Sequence, residues 1–152
     1  MIGADGRERP VAIVRVPATS ANVGVGFDCL GIALDLTATF LMAPAERLEI
    51  VGCEERFRSE DNLVWRSYLD ACSPIPLSGG LGSSSACVIA GIAGAMALSG
   101  DGFDRQRALE LACSEEGHPD NVAPALLGGL VSSFVSDGQT TSTRMDVADN
   151  LR

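Results

Sequence analysis

Lysine is absent from this 152-residue chain, and all eleven basic side chains are arginine. That absence excludes a Walker-A loop, whose G-x-x-x-x-G-K-[ST] pattern places a lysine on the phosphates. It also excludes a Schiff-base or general-base lysine within these residues. Any phosphate cradle must therefore work through backbone N–H groups, serine hydroxyls, a metal ion or arginine. Histidine occurs once, as His118. The five cysteines (Cys29, Cys53, Cys72, Cys87, Cys113) are scattered and never form C-x-x-C, so they suit reduced thiols better than a zinc or disulfide framework. Long apolar runs are missing as well: Ala86 to Leu98 is 13 residues, too short to span a bilayer. The polar lead-in, Met1 to Pro10, lacks a signal-peptide core. A net charge of −9 argues against nucleic-acid or membrane-surface partners, and the cytoplasm is the expected compartment.

What is present centres on Pro76-Leu77-Ser78-Gly79-Gly80-Leu81-Gly82-Ser83-Ser84-Ser85-Ala86, which opens onto the apolar stretch Cys87 to Leu98. Glycines let a backbone curl and approach a ligand closely. Serines at a helix start cap orphan N–H groups or bond an anion or metal, and the helix N-terminus adds partial positive charge. The stretch reads as a seat for the phosphates of a nucleotide.

Around it, strands are expected at Val11–Val16 (ended by Pro17), Ile32–Leu41 and Arg47–Val51. Alternation puts Leu34, Leu36, Ala38 and Phe40 on one face of the second strand, and Asp35, Thr37 and Thr39 on the other. The stretch from Ala18 to Gly31 reads as a long loop in which small residues flank Asn22 and Asp28; it is either a surface that a ligand approaches or an ordinary solvated loop. Asp61 is expected to cap a helix over 62–71, with Leu63, Trp65, Arg66 and Leu69 packed on a sheet. A further helix runs from Asp104 to Glu116, stopped by Gly117, with Ala108, Leu109, Leu111 and Ala112 as its apolar face. Glu110 falls almost opposite that face and reads as a solvated carboxylate. Pro119 fits the first turn of a short helix to about Leu127, headed by His118 beside Asp120 and Asn121. The strand Leu130–Val135, the Asp137-Gly138 hairpin signal and a return over Thr140–Val147 complete the pattern. Loose alternation of strands and helices suggests an α/β or α+β sandwich with helices on one face.

Three segments together resemble the GHMP small-molecule kinases, and within them most closely the homoserine kinase family. These are Ile75 to Ala86, Val14-Arg-Val-Pro-Ala-Thr-Ser-Ala-Asn-Val-Gly-Val-Gly-Phe-Asp28, and Glu116-Gly-His-Pro-Asp-Asn-Val-Ala-Pro-Ala-Leu-Leu-Gly-Gly129. The resemblance implies an α+β, two-layer sandwich like ribosomal protein S5 domain 2, with 1–152 forming the N-terminal ATP-binding domain and a ferredoxin-like C-terminal domain outside this chain. It implies transfer of phosphate from ATP to the side-chain hydroxyl of L-homoserine, on the route to threonine. Backbone groups from Pro76 to Ala86 would hold ATP phosphates, Ser84 and Glu110 would ligate Mg²⁺, and Asn62 would lie near the adenine. Asn22 and Asp28 would contact the amino-acid substrate, and His118 and Asn121 would border its hydroxyl. Asp120 is a candidate base, ranked behind a role in positioning His118. Phosphoryl transfer needs mainly alignment and charge neutralisation, so a strong base is not compulsory. The chain departs from the family pattern in lacking about twenty residues before Pro74. Another GHMP kinase, a non-catalytic nucleotide-binding domain and a homodimeric assembly are left open.

Overall fold

In a computed structural model, the structure describes residues 10–45, 47–59, 61–66, 70–72, 81–100 and 102–148. The first half of the expected phosphate loop (Pro76, Leu77, Ser78, Gly79, Gly80) and the Met1–Arg9 lead-in lie outside the described residues. The elements are β1 (Ala12–Ala21), β2 (Leu30–Met42), α1 (Leu63–Arg66), β3 (Asp70–Cys72), α2 (Ser83–Ser99), α3 (Arg105–Glu116), α4 (Pro119–Leu127), β4 (Leu130–Ser136) and β5 (Gln139–Met145).

One antiparallel sheet in the order β1-β2-β4-β5 forms a layer, with the short β3 also paired to β2. The thirteen residues of β2 make it the spine: β4 joins near Leu30–Ile32, and β3 near Thr39–Leu41. Its alternation holds where it matters, with Ala38, Phe40 and Met42 buried, although Leu36 is exposed. The helices cover one face. Val16 and Ala18 of β1, Phe40 of β2, Val88 and Ile89 of α2, Leu109 and Ala112 of α3, Val122 of α4 and Val131 of β4 share one apolar core. This is a two-layer α+β architecture, as expected from the sequence.

β1 continues through Pro17 to Ala21 rather than ending there. It lies at the sheet edge, where a residue without an N–H is tolerated. Arg47–Val51 is not a strand, and the expected helix over 62–71 is a single turn at Leu63–Arg66 followed by β3. Its cap is Asn62, whose Oδ1 accepts from Val64 N–H at 2.8 Å, and not Asp61. The side chains of Trp65, Arg66 and Leu69 lie outside the described residues. In α3, Asp104 accepts from Arg107 N–H and Gly117 ends the helix in the left-handed conformation, as expected. Its buried stripe is Ala108, Leu109, Ala112 and Cys113, whereas Leu111 is exposed. Asp137 and Gly138 both have positive φ and close the β4–β5 hairpin.

The position of α4 depends on a close approach. Pro124 has no N–H for the Asp120 carbonyl, and that carbonyl lies against Gly31 of β2. A Cβ on Gly31 would stand 1.8 Å from Asp120 O and 2.8 Å from Pro124 Cγ. Only glycine admits the helix this near the strand, and the N-terminus of α4 is thereby set beside the β1–β2 turn.

Candidate functional site

The site is assembled at the N-termini of α2 and α4, against the end of β1. α2 begins after Gly82, which has φ +64° and provides no side-chain cap. Ser83, Ser84 and Ser85 therefore occupy the first helical turn and do not cap it, which leaves the other expected use of these serines, bonding an anion or a metal. The orphan N–H groups and the helix dipole are available to an anion.

The serine hydroxyls are turned toward α3. Ser84 Oγ donates to Glu116 Oε1, and Ser85 Oγ donates to Glu116 Oε2 at 2.9 Å. Glu116, in the last turn of α3, is therefore the carboxylate these hydroxyls reach. Glu110, the expected partner of Ser84, has another contact: its Oε1 accepts from Gln106 Nε2 at 2.9 Å, and the same nitrogen donates to Thr140 O at 3.0 Å beside β5. A signal for Glu116 was present in the sequence. It follows Ala112 by four residues and Cys113 by three, so it continues the buried stripe at the end of the helix. Burial, followed by the charge of Glu116, raises the neighbouring Cys87 thiol to about 11. The Cys113 thiol is also raised, first by burial and then by Glu110, with the Thr140 hydrogen bond opposing.

α4 supplies the second group. His118 Nδ1 lies 2.5 Å from Asp120 Oδ1; the histidine side chain is 48% exposed and that of Asp120 only 2%. A buried carboxylate gripping Nδ1 fixes the imidazole, and Nε2 takes no part in that contact. Asn121 Oδ1 accepts from Thr19 Oγ1 at 2.8 Å, and Thr19 N–H donates to Leu81 O at 3.0 Å. A Cβ on Gly82 would stand 1.9 Å from Thr19 Oγ1 and 3.1 Å from Asn121 Oδ1. The junction of β1, α2 and α4 closes around that missing side chain.

The β1–β2 turn supplies the third. Asn22 (φ 57°) and Asp28 (φ 53°) both adopt the left-handed conformation, and Asn22 Oδ1 accepts from Asp28 N–H at 2.9 Å. Both are exposed, on a turn leading to Gly31 and thus to the α4 N-terminus. Asn62, by contrast, is committed to local structure. It is 8% exposed, and its Nδ2 donates to Phe57 O at 2.5 Å while its Oδ1 caps α1. The described part of the phosphate loop (Leu81, Gly82, Ser83, Ser84, Ser85, Ala86) meets α4 at Asn121, through Gly82 and Thr19, while His118 and Asp120 contact each other at the start of the same helix. Among the described residues, no group of three or more His, Cys, Asp or Glu side chains could hold a metal, so any ion here needs oxygen ligands from elsewhere.

The family model for the GHMP kinases N terminal domain matches residues 54–129, half of the chain. The chain belongs to this family. As a GHMP kinase domain it resembles the homoserine kinase of Clostridium botulinum (strain 657 / Type Ba4), with 39% identity over 91% of this chain and 52% of the relative. It is 41% identical to the homoserine kinase of Clostridium beijerinckii, again over 91% of this chain and 52% of the relative. Among solved structures, one described as a homoserine kinase from Listeria monocytogenes superposes with a TM-score of 0.80 and 37% identity, covering 90% of this chain and 54% of that one. This GHMP kinase domain spans about half the length of the curated relatives it matches. No helix among its described residues is long and apolar enough to cross a membrane.

Proposed function

We propose that this domain binds Mg²⁺-ATP and takes part in phosphorylating the side-chain hydroxyl of L-homoserine. The observation that carries the reading is the convergence of Ser84 and Ser85, in the uncapped first turn of α2, on the single carboxylate of Glu116. Hydroxyl and carboxylate oxygens suit a hard Mg²⁺ ion, which takes its remaining ligands from phosphates and water. Gly82 supports the same reading, because its lack of a Cβ lets Thr19 and Asn121 close on the entry to α2. Bound ATP would supply the phosphoryl group, and Mg²⁺ would offset charge on its oxygens.

The chain's own residues orient and neutralise. N–H groups of the α2 first turn would hold negative charge, and Ser84 with Glu116 would hold the metal, in place of the expected pair of Ser84 and Glu110. Asp28 offers a carboxylate to an ammonium group, and Asn22 fixes the backbone that carries it. Asp120 is engaged with His118 Nδ1, so it acts as a positioning residue and not as the base. His118 Nε2 and the Asn121 amide border the acceptor hydroxyl.

A coupled ADP-release assay offering homoserine, threonine, mevalonate and shikimate tests the reading. Homoserine-dependent release is expected. Turnover of mevalonate alone overturns the substrate but not the kinase chemistry, whereas Mg²⁺-ATP binding by calorimetry without any turnover identifies a non-catalytic nucleotide-binding domain.

A further inference from the structure

Thr19 stands where three segments meet, and the mechanism above gives it no task. Its register neighbourhood is irregular: β1 pairs Pro17 with Thr37 but Thr19 with Ala33. Ala18 and Thr19 are buried one after the other, so the two-residue alternation of the strand fails here and Thr19 is turned toward the helix N-termini. A buried hydroxyl needs a partner, and this one donates to Asn121 Oδ1. Its backbone N–H meanwhile ties β1 to Leu81 O, at the entry to α2.

We infer that Thr19 is a positioning residue that sets which end of the Asn121 amide faces the cleft. With Oδ1 engaged by the Thr19 hydroxyl, Asn121 presents its Nδ2 hydrogens away from Thr19, as donors to negative charge developing on the reacting oxygens. The contact with Gly82 reinforces the arrangement, since Thr19 Oγ1 and Asn121 Oδ1 flank the space where a Cβ would stand. The consequence for rate rests on the phosphoryl-transfer reading; the orientation of the amide does not.

The test compares Thr19→Ser, which keeps the hydroxyl, with Thr19→Val, which keeps the shape and loses it. Two quantities are read in the full chain: the side-chain amide NMR signals of Asn121 without nucleotide, and the kcat and KM of homoserine-dependent ADP release. Thr19→Ser should leave the Asn121 signals in place and the rate near that of the parent. Thr19→Val should shift those signals and lower kcat about three- to tenfold, with KM for ATP little changed because the backbone bond to Leu81 survives. Unmoved Asn121 signals in Thr19→Val overturn the inference, as does a serine variant that behaves like valine. Should the valine variant fail to fold, Asn121→Asp keeps an acceptor for Thr19 and removes the donor; full activity there also overturns the inference. Parent chain that releases no ADP sinks the kinase reading, and the NMR comparison still decides the role of Thr19.

Discussion

Ser84, in the first turn of α2, and Glu116, in the last turn of α3, are joined by a hydrogen bond across 32 residues of sequence. The bond places a carboxylate at the positive end of α2 and gives the site its one described acid within reach of the serine hydroxyls. Glu110, one and two-thirds turns earlier on the same helix, serves β5 instead through Gln106.

The two carboxylates should therefore separate cleanly by mutation. Glu116→Gln is expected to weaken Mg²⁺-dependent ATP binding about 10- to 100-fold, the range typical of groups that hold or orient a metal. Glu110→Gln should stay within about twofold of the parent, as exposed surface substitutions do. Calorimetry of ATP at several Mg²⁺ concentrations distinguishes them, and equal losses in both variants would contradict the assignment.

Gly82 should tolerate no side chain. Alanine there meets a positive φ of +64° and places its Cβ 1.9 Å from Thr19 Oγ1. Gly82→Ala is expected to lower stability by about 1–3 kcal/mol and to abolish measurable ATP binding. Thermal melts with and without Mg²⁺-ATP check both effects, and a nucleotide-dependent rise in Tm in the variant would contradict the expectation.

The Cys87 thiol gives a pH dependence with a definite sign. Its acidity is shifted from the ordinary 9.0 to about 11, by burial first and by Glu116 second. Because the folded value is the higher one, this contribution to stability is complete below pH 9 and is lost as pH rises toward 11. Denaturant midpoints between pH 8 and 11 should fall over that window, and Cys87→Ser should flatten part of the fall. Alkylation of Cys87, followed by mass spectrometry, should respond to pH with a midpoint near 11, lowered in Glu116→Gln because a raising charge has been removed.

Asn22 and Asp28 should behave as a unit. Asp28→Ala is expected to raise KM for homoserine far more than KM for ATP. Asn22→Ala should do the same more weakly, about three- to tenfold, because it removes the acceptor that holds Asp28 N–H and a residue tolerant of left-handed backbone. Measuring both KM values in the ADP-release assay checks this; a change confined to ATP would reassign the turn to the nucleotide.

Local chemistry made much of the fold legible in the sequence. Asp104 and Gly117 bracket α3 because capping acts over only a few residues, and the Asp137-Gly138 turn is specified by its own backbone needs. Where the reading failed, partners elsewhere in the chain decided the outcome. Leu48-Glu-Ile-Val51 alternates like a strand, yet the end of β2 it might have joined already holds β1 on one side and β3 on the other. Asp70 and Ala71 suit the end of a helix by local pattern, yet Asp70–Cys72 is recruited as strand by Thr39–Leu41. The candidate site follows the same rule: the His118–Asp120 contact is local in sequence, whereas Glu116 and Thr19 acquire their places only through residues 32 and 102 positions away.

That last separation bears on synthesis. The Thr19–Asn121 bond spans 102 residues, which a ribosome adding roughly 5–20 residues per second covers in about 5–20 s. During that interval β1 and β2 can pair, since they are neighbours in sequence, but the junction around Gly82 lacks one of its walls. Under the proposed function, nucleotide would stabilise only a state it binds, so ATP in the surrounding solution would offer no protection to the growing chain until α4 has emerged. On that reading, ligand-linked stability of the segment around Gly82 begins only once translation has passed Asn121.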